Sequence, residues 1–107
     1  MIFIFVDDER KSPFTNETFP IKGTTVLTCR TYNSAINTIQ HCVEQNVPFM
    51  LDLDHDLGEE KTGYDICKYL VENEISPIKV VLHTQNVVGR MNMRQLLNRY
   101  GYNVGEY

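Results

Sequence analysis

The chain has no tryptophan, only three cysteines, and no hydrophobic run long enough to span a membrane. Its cysteines, Cys29, Cys42 and Cys67, form no close pair, so their spacing matches neither a zinc knuckle nor a dense disulfide framework. We expect them to be small buried hydrophobes in a reducing compartment. The opening run MIFIFV is too short for a signal-peptide core and is followed directly by acidic residues. These absences predict a cytoplasmic protein without a membrane partner.

Positive charge is also scarce. Ten lysines and arginines stand against 14 acidic residues, which gives a formal net charge of -4. That balance argues against a general binder of duplex DNA, whose surface is normally basic, although a local basic patch could still hold a phosphate. The 107 residues suit a single domain spanning 1–107, and a hydrophobic content of 42% is enough for one core.

Apolar segments rich in β-branched and aromatic residues alternate with helical patterns along the chain. The predicted strands are Ile2–Val6, Thr25–Cys29, 49–54 and 79–83. Apolar residues at helical spacing predict helices from Tyr32 to Val43, over 63–73, and along a stripe of Met93, Leu96, Leu97 and Tyr100. This alternation predicts an α/β fold, a three-layer sandwich around a mostly parallel sheet of four or five strands.

The connection between the first two predicted strands breaks this rhythm. Its sequence, KSPFTNETFPIKG, has two prolines and poor helix formers, so we expect a loop or one short turn there. At the other end, the tail GYNVGEY either adds a short edge strand or packs against the domain. The first and last connections of the sheet are therefore expected to be reduced.

Polar side chains gather where the predicted strands end. Asp7 and Asp8 follow the first strand, while the third and fourth strands end in the runs Asp-His-Asp at 54–56 and His-Thr at 83–84. In open parallel sheets, ligands bind outside the carboxyl ends of the strands. The sequence therefore predicts a functional site at this edge, with Asp52, in mid-strand, left unassigned.

Three segments, IFIFVDDER, LDLDHDLGEEKTGYDICKYL and KVVLHT, resemble the receiver domains of bacterial response regulators, which have a flavodoxin-like fold. By motif alignment, Asp7 and Asp8 match the receiver acid pair, Asp54 the phospho-acceptor and Thr84 the hydroxyl residue. Receivers also use a lysine after a fifth strand to contact the phosphoryl group, and this chain has no lysine after Lys79. The final strand–helix unit is shortened as well, which counts against a true phospho-acceptor.

Two further elements, LDHDLG with TGYD and HTQNVVGRMNM, resemble a divergent branch, the cyclic-phosphate-processing receiver-like domains. This resemblance implies a phosphoesterase-like hydrolase that acts on a cyclic phosphate of a nucleotide or an RNA end. The alternative is a non-catalytic receiver-like module that binds a nucleotide or a protein partner. The sequence names neither the substrate, nor a protein partner, nor the oligomeric state.

The residue types suggest how such a site would work. Asp7, Asp8 and Asp54 could supply oxygen ligands to Mg²⁺. Because histidine as a residue type can exchange protons at physiological pH, His55 and His83 could divide the tasks of general base and general acid, with Asp56 or Asp54 orienting His55. The expected catalytic residues are thus His55, His83, Asp54 and Asp56. The expected phosphate-binding or substrate-binding residues are Arg10, Thr84, Asn86, Gly89 and Asn92, the last three in a loop that leads into the final helix.

Overall fold

The computed structural model describes residues 1–106. Its strands are β1 (Ile2–Val6), β2 (Thr25–Cys29), β3 (Phe49–Leu53), β4 (Lys79–Leu82) and β5 (Val104–Glu106). Its helices are α1 (Tyr32–Glu44), α2 (Gly63–Glu72) and α3 (Val87–Arg99). All neighbouring strands pair in parallel, in the order β2-β1-β3-β4-β5. The predicted α/β fold with a parallel sheet is confirmed, and the tail does add a short edge strand.

Local sequence explains where the helices begin. Thr31 caps α1 and Thr62 caps α2, and in each case the side chain of the third helical residue accepts a hydrogen bond from the backbone amide of the cap. Asn86 caps α3 by accepting a hydrogen bond from the Gly89 amide. The final helix therefore begins earlier than expected, and Gly89 and Asn92 lie within it rather than in a preceding loop.

The three helices share one core with one face of the sheet. Their buried residues form a single cluster with alternate residues of the central strands, which are Ile4, Val6, Leu51, Leu53, Val80 and Leu82. On the opposite face, Phe3 and Phe5 pack with Phe19 and Phe14 from the connection between β1 and β2. That connection contains no helix. The third layer of the sandwich is therefore this loop, and no helix formed by residues 1–106 lies over that face of the sheet.

The burial of individual side chains tests the expectations for the cysteines and for the last helix. Cys29, Cys42 and Cys67 are all buried and unpaired, as expected. The apolar stripe of α3 is shorter than predicted, because Tyr100 is 57% exposed and lies at the helix C-cap. Gly101 follows it at a φ of 79°, the left-handed conformation that commonly ends a helix. Among the residues described, no helix is both long and apolar enough to cross a lipid bilayer.

Candidate active site

The register of the sheet brings three polar residues to the same level. Val6 pairs with Leu53, and Leu53 pairs with Leu82, across β1, β3 and β4. The residues that follow these three, namely Asp7, Asp54 and His83, lie side by side at the carboxyl ends of adjacent strands. We call this group the carboxyl edge. One ligand atom from each of the three lies within 4.8 Å of the others.

His83 lies between two buried carboxylates. Its Nε2 is 2.9 Å from Asp7 Oδ2, and its Nδ1 is 2.5 Å from Asp52 Oδ1. The exposed fractions of Asp7, Asp52 and His83 are 1%, 0% and 8%. The imidazole also stacks on the Phe5 ring, with centroids 4.7 Å apart and planes 8° from parallel. Asp52, unassigned from the sequence, is therefore the inner partner of His83.

A carboxylate can only accept, so both ring nitrogens of His83 donate when Asp7 and Asp52 are ionised, as in an imidazolium. Burial alone would lower the pKa of His83, but the hydrogen bonds and negative charges of Asp52 and Asp7 outweigh it and raise the pKa. For Asp7, burial raises the pKa, and hydrogen bonds from the Arg10 and Glu9 amides and from His83 more than offset it, so the pKa is lowered. Both shifts favour the charged forms of His83 and Asp7.

His55 belongs to a second, more accessible group. Its Nδ1 is 3.0 Å from Asp56 Oδ1, and its side chain is 17% exposed. The Asn86 side chain joins this pair, since its Nδ2 donates to Asp56 Oδ2 at 3.2 Å while its Oδ1 accepts from the Gly89 amide at 2.9 Å. One amide side chain therefore caps α3 and also fixes the carboxylate beside His55.

These contacts assign the proton on His55. Hydrogen bonds from His55 and from Asn86 lower the pKa of Asp56, so its carboxylate is ionised and Nδ1 of His55 must donate to it. In the neutral imidazole, the lone pair is then on Nε2, which has no hydrogen-bond partner among residues 1–106. His55 is therefore oriented as a proton acceptor, unlike His83.

Two glycines permit this arrangement. A methyl group added at Gly89 would collide with the His55 ring, so the ring packs directly on the backbone of α3. A methyl group at Gly63 would collide with the Asp54 carbonyl oxygen. The Gly63 amide also donates to the His55 carbonyl at 2.8 Å, which ties the residues after β3 to the start of α2.

The possible metal ligands are only partly those expected. The structure brings Asp7 and Asp54 together, but the third member of the group is His83 rather than Asp8. The Asp8 carboxylate instead lies over Gly58, 2.8 Å from where a Cβ of that residue would be. Asp54 Oδ1 accepts from the His55 amide at 2.7 Å, which sets the orientation of its carboxylate.

The expected phosphate-binding residues fall in three places. Arg10 and Thr84 line a cavity of about 490 Å³ beside His83. Asn86 and Gly89 lie beside His55, where the Gly89 amide donates to the Asn86 side chain and that side chain donates to Asp56. Asn92 is exposed and lines a separate cavity with Tyr64 and residues further along α3. The structure therefore does not gather these five residues at one point.

Comparison with known proteins gives one match. A family model described as "Cyclic-phosphate processing Receiver domain" matches residues 2–99. The matched range runs from β1 to the end of α3 and includes the carboxyl edge, His55, Asp56 and Asn86. No match was found among curated proteins or among solved structures.

Proposed function

Because the chain belongs to the family of cyclic-phosphate processing receiver domains, we propose that it is a hydrolase that opens a cyclic phosphate on a nucleotide or an RNA end. The observation that carries this proposal is the His55–Asp56 pair, held by Asn86 beside the carboxyl edge. An imidazole with one nitrogen oriented by a carboxylate and the other unoccupied is the arrangement of a general base. A module that only binds phosphate needs hydrogen-bond donors and has no use for such a base.

In the proposed reaction, His55 Nε2 takes a proton from water as the water oxygen attacks phosphorus. The new P–O bond replaces one of the two ribose ester bonds of the ring, and the product is an acyclic phosphate monoester. The freed ribose oxygen takes a proton from solvent, and His55 returns its own proton to solvent. A general base of this kind accelerates a reaction by about 10²–10⁴-fold.

His83 has a different role in this proposal from the one its position in the sequence suggests. Both of its nitrogens are within hydrogen-bond distance of buried carboxylates, so exchanging a proton with substrate would break a buried contact. We assign it as a positioning residue that holds Asp7 next to Asp54. The two histidines then do not share the acid and base steps.

The charge at the carboxyl edge favours a divalent cation. Asp7 and Asp54 of the carboxyl edge, with Asp52 behind His83, carry three formal negative charges, and His83 carries one positive charge. The substrate phosphate is also an anion. The donors fit Mg²⁺, which takes carboxylate oxygens and keeps several waters, and Asp7 and Asp54 would hold it. When bound, Mg²⁺ would neutralise the phosphate as negative charge develops on it.

The test is to incubate purified protein with 2′,3′-cyclic nucleotides, RNA ending in a cyclic phosphate, and cyclic dinucleotides, with and without Mg²⁺, and to follow products by ³¹P NMR. His55→Ala should lower turnover by about 10²–10⁴-fold. His41→Ala, which changes an exposed histidine on α1, is the matched control and should leave turnover unchanged. Turnover that survives His55→Ala would contradict the assignment of the base.

A second outcome would support a non-catalytic module. Binding of these compounds without turnover of any of them, in the presence of Mg²⁺, would rule out the hydrolase. A mass shift after treatment with a small phosphodonor that disappears in Asp54→Asn would instead indicate a phospho-acceptor.

A further inference from the structure

The cavity beside His83 opens on the sheet face that has no helix over it. Its floor contains the rings of Phe5 and His83, which are almost fully buried, and Pro13 and Lys11 contribute to its wall. Arg10 and Arg90 complete the part of the lining used below. We call this site the cationic cavity. Its volume of about 490 Å³ is within the range of about 300–1,000 Å³ typical of small-molecule sites.

The charge of this cavity is opposite to that of the protein as a whole. Among residues 1–106, three lysine or arginine side chains line it together with His83, and no acidic residue does, although the net charge of the chain is -4. Arg90 is partly neutralised, because its Nε is 3.3 Å from Glu106. Among residues 1–106, no carboxylate lies within 4.0 Å of the charged nitrogens of Arg10 or Lys11. These two side chains can therefore bind an anion without first breaking an ion pair.

The cationic cavity adjoins the carboxyl edge, because Arg10 is hydrogen-bonded to Asp7 and His83 belongs to both sites. The Arg10 amide donates to Asp7 Oδ1 at 2.8 Å. The Arg30 guanidinium donates to the Asp7 carbonyl at 3.0 Å and also to the Arg10 carbonyl. The His83 ring lines the cavity and contacts Asp7 at the same time. An anion in the cavity would thus be held next to the carboxyl edge, where the Mg²⁺ that neutralises the cyclic phosphate would bind.

We propose that the cationic cavity is a subsite for a second phosphate of the substrate, so that the substrate class is an oligonucleotide end rather than a single cyclic nucleotide. This inference rests on the proposed function. A lone 2′,3′-cyclic nucleoside phosphate carries one anionic group, which the carboxyl edge would take with its cation. Two uncompensated cations beside that edge are suited to the next phosphodiester along a single strand.

The test compares adenosine 2′,3′-cyclic phosphate with the dinucleotide that ends in the same cyclic phosphate and adds one phosphodiester. Binding by calorimetry and kcat/KM are measured for both compounds. In the wild-type protein, the dinucleotide should bind at least tenfold more tightly and show at least tenfold higher kcat/KM. Its binding should also depend more steeply on salt, with a slope of log affinity against log salt larger by about 0.7, as for one further phosphate on a single strand.

The double variant Arg10→Gln/Lys11→Gln should bring both ratios close to one. Lys22→Gln/Lys68→Gln is the matched control, since it removes the same charge from exposed lysines outside the cavity and should keep the ratios. Equal binding of the two compounds by the wild type, or ratios that survive in the Arg10/Lys11 variant, would overturn the subsite. A third outcome is that the wild type binds the dinucleotide more tightly, the Arg10/Lys11 variant does not, and neither protein turns over either compound. That outcome would overturn the hydrolase and leave the subsite standing.

Discussion

Replacing His83 by alanine separates a positioning residue from a catalytic one. The change leaves the carboxylates of Asp7 and Asp52, which are 1% and 0% exposed, without the positive charge between them. Removing one partner of a buried ion pair typically costs about 3–5 kcal/mol. A domain of this size has a total unfolding free energy of about 5–15 kcal/mol. We therefore expect His83→Ala to lose a large fraction of the stability of the fold, measured by urea unfolding at pH 7.

Milder variants keep the test informative if His83→Ala does not fold. Asp52→Asn retains an acceptor for the His83 Nδ1 proton but removes one buried charge, and we expect it to cost about 1–3 kcal/mol. In the Asp52→Asn protein, His83→Gln should cost less than it does alone, because contacting residues in one network couple by about 0.5–3 kcal/mol. His55→Ala, by contrast, should cost less stability than His83→Ala, since its partner Asp56 is 66% exposed and no buried carboxylate loses its partner.

The contacts of His83 with Asp52 and Asp7 also make the stability of the fold depend on pH. The folded state binds the His83 proton more tightly than the unfolded chain, because the pKa is raised in the fold. The contribution of His83 to the free energy of unfolding is therefore complete below the ordinary histidine pKa, near 6.5, and is lost as pH rises through the raised pKa. A Cm for urea unfolding that changes by less than the equivalent of about 0.5 kcal/mol in His83→Ala would refute this account and return His83 to the candidates for proton transfer.

Three further predictions concern single contacts. Asn86→Ala should cost about 0.5–2 kcal/mol through loss of the α3 cap, measured by urea unfolding, and should raise the Asp56 pKa toward its ordinary value, measured by NMR titration. Gly89→Ala should lower turnover by displacing the His55 ring while leaving helix content intact by circular dichroism, since alanine is the better helix former. Burial raises the pKa of Cys67 to about 12, so a thiol reagent at pH 8 should label it only after unfolding.

The strands could be predicted from sequence because they depend on local residue types. Ile2–Val6 and Thr25–Cys29 are predicted at their observed bounds, since each is a short run of apolar and β-branched residues that ends at a polar residue. The other two predicted strands extend slightly too far, because Asp54 and His83 follow the last paired residues. The position of the site at the strand ends follows from the same pattern.

The partner of each site residue could not be predicted in this way, because it depends on strand register. Asp52 and His83 are 31 positions apart, and only the parallel pairing of β3 with β4 brings them within 2.5 Å. Once that register is known, alternation along β3 puts Asp52 on the same sheet face as His83. The role of Asn86 is hidden for a similar reason, since its contact with Asp56 spans 30 positions between two loops.

The cations of this chain lie at a different place from the lysine of a receiver. Receivers contact the phosphoryl group with a lysine that follows a fifth strand, and here no lysine follows Lys79. His83 does not reproduce that contact, because its nitrogens face inward to Asp52 and Asp7. The available cations lie instead on the connection after β1, at Arg10 and Lys11, over the sheet face that no helix covers. A helix in place of that loop would cover this face, so the cationic cavity depends on the absence of a helix between β1 and β2.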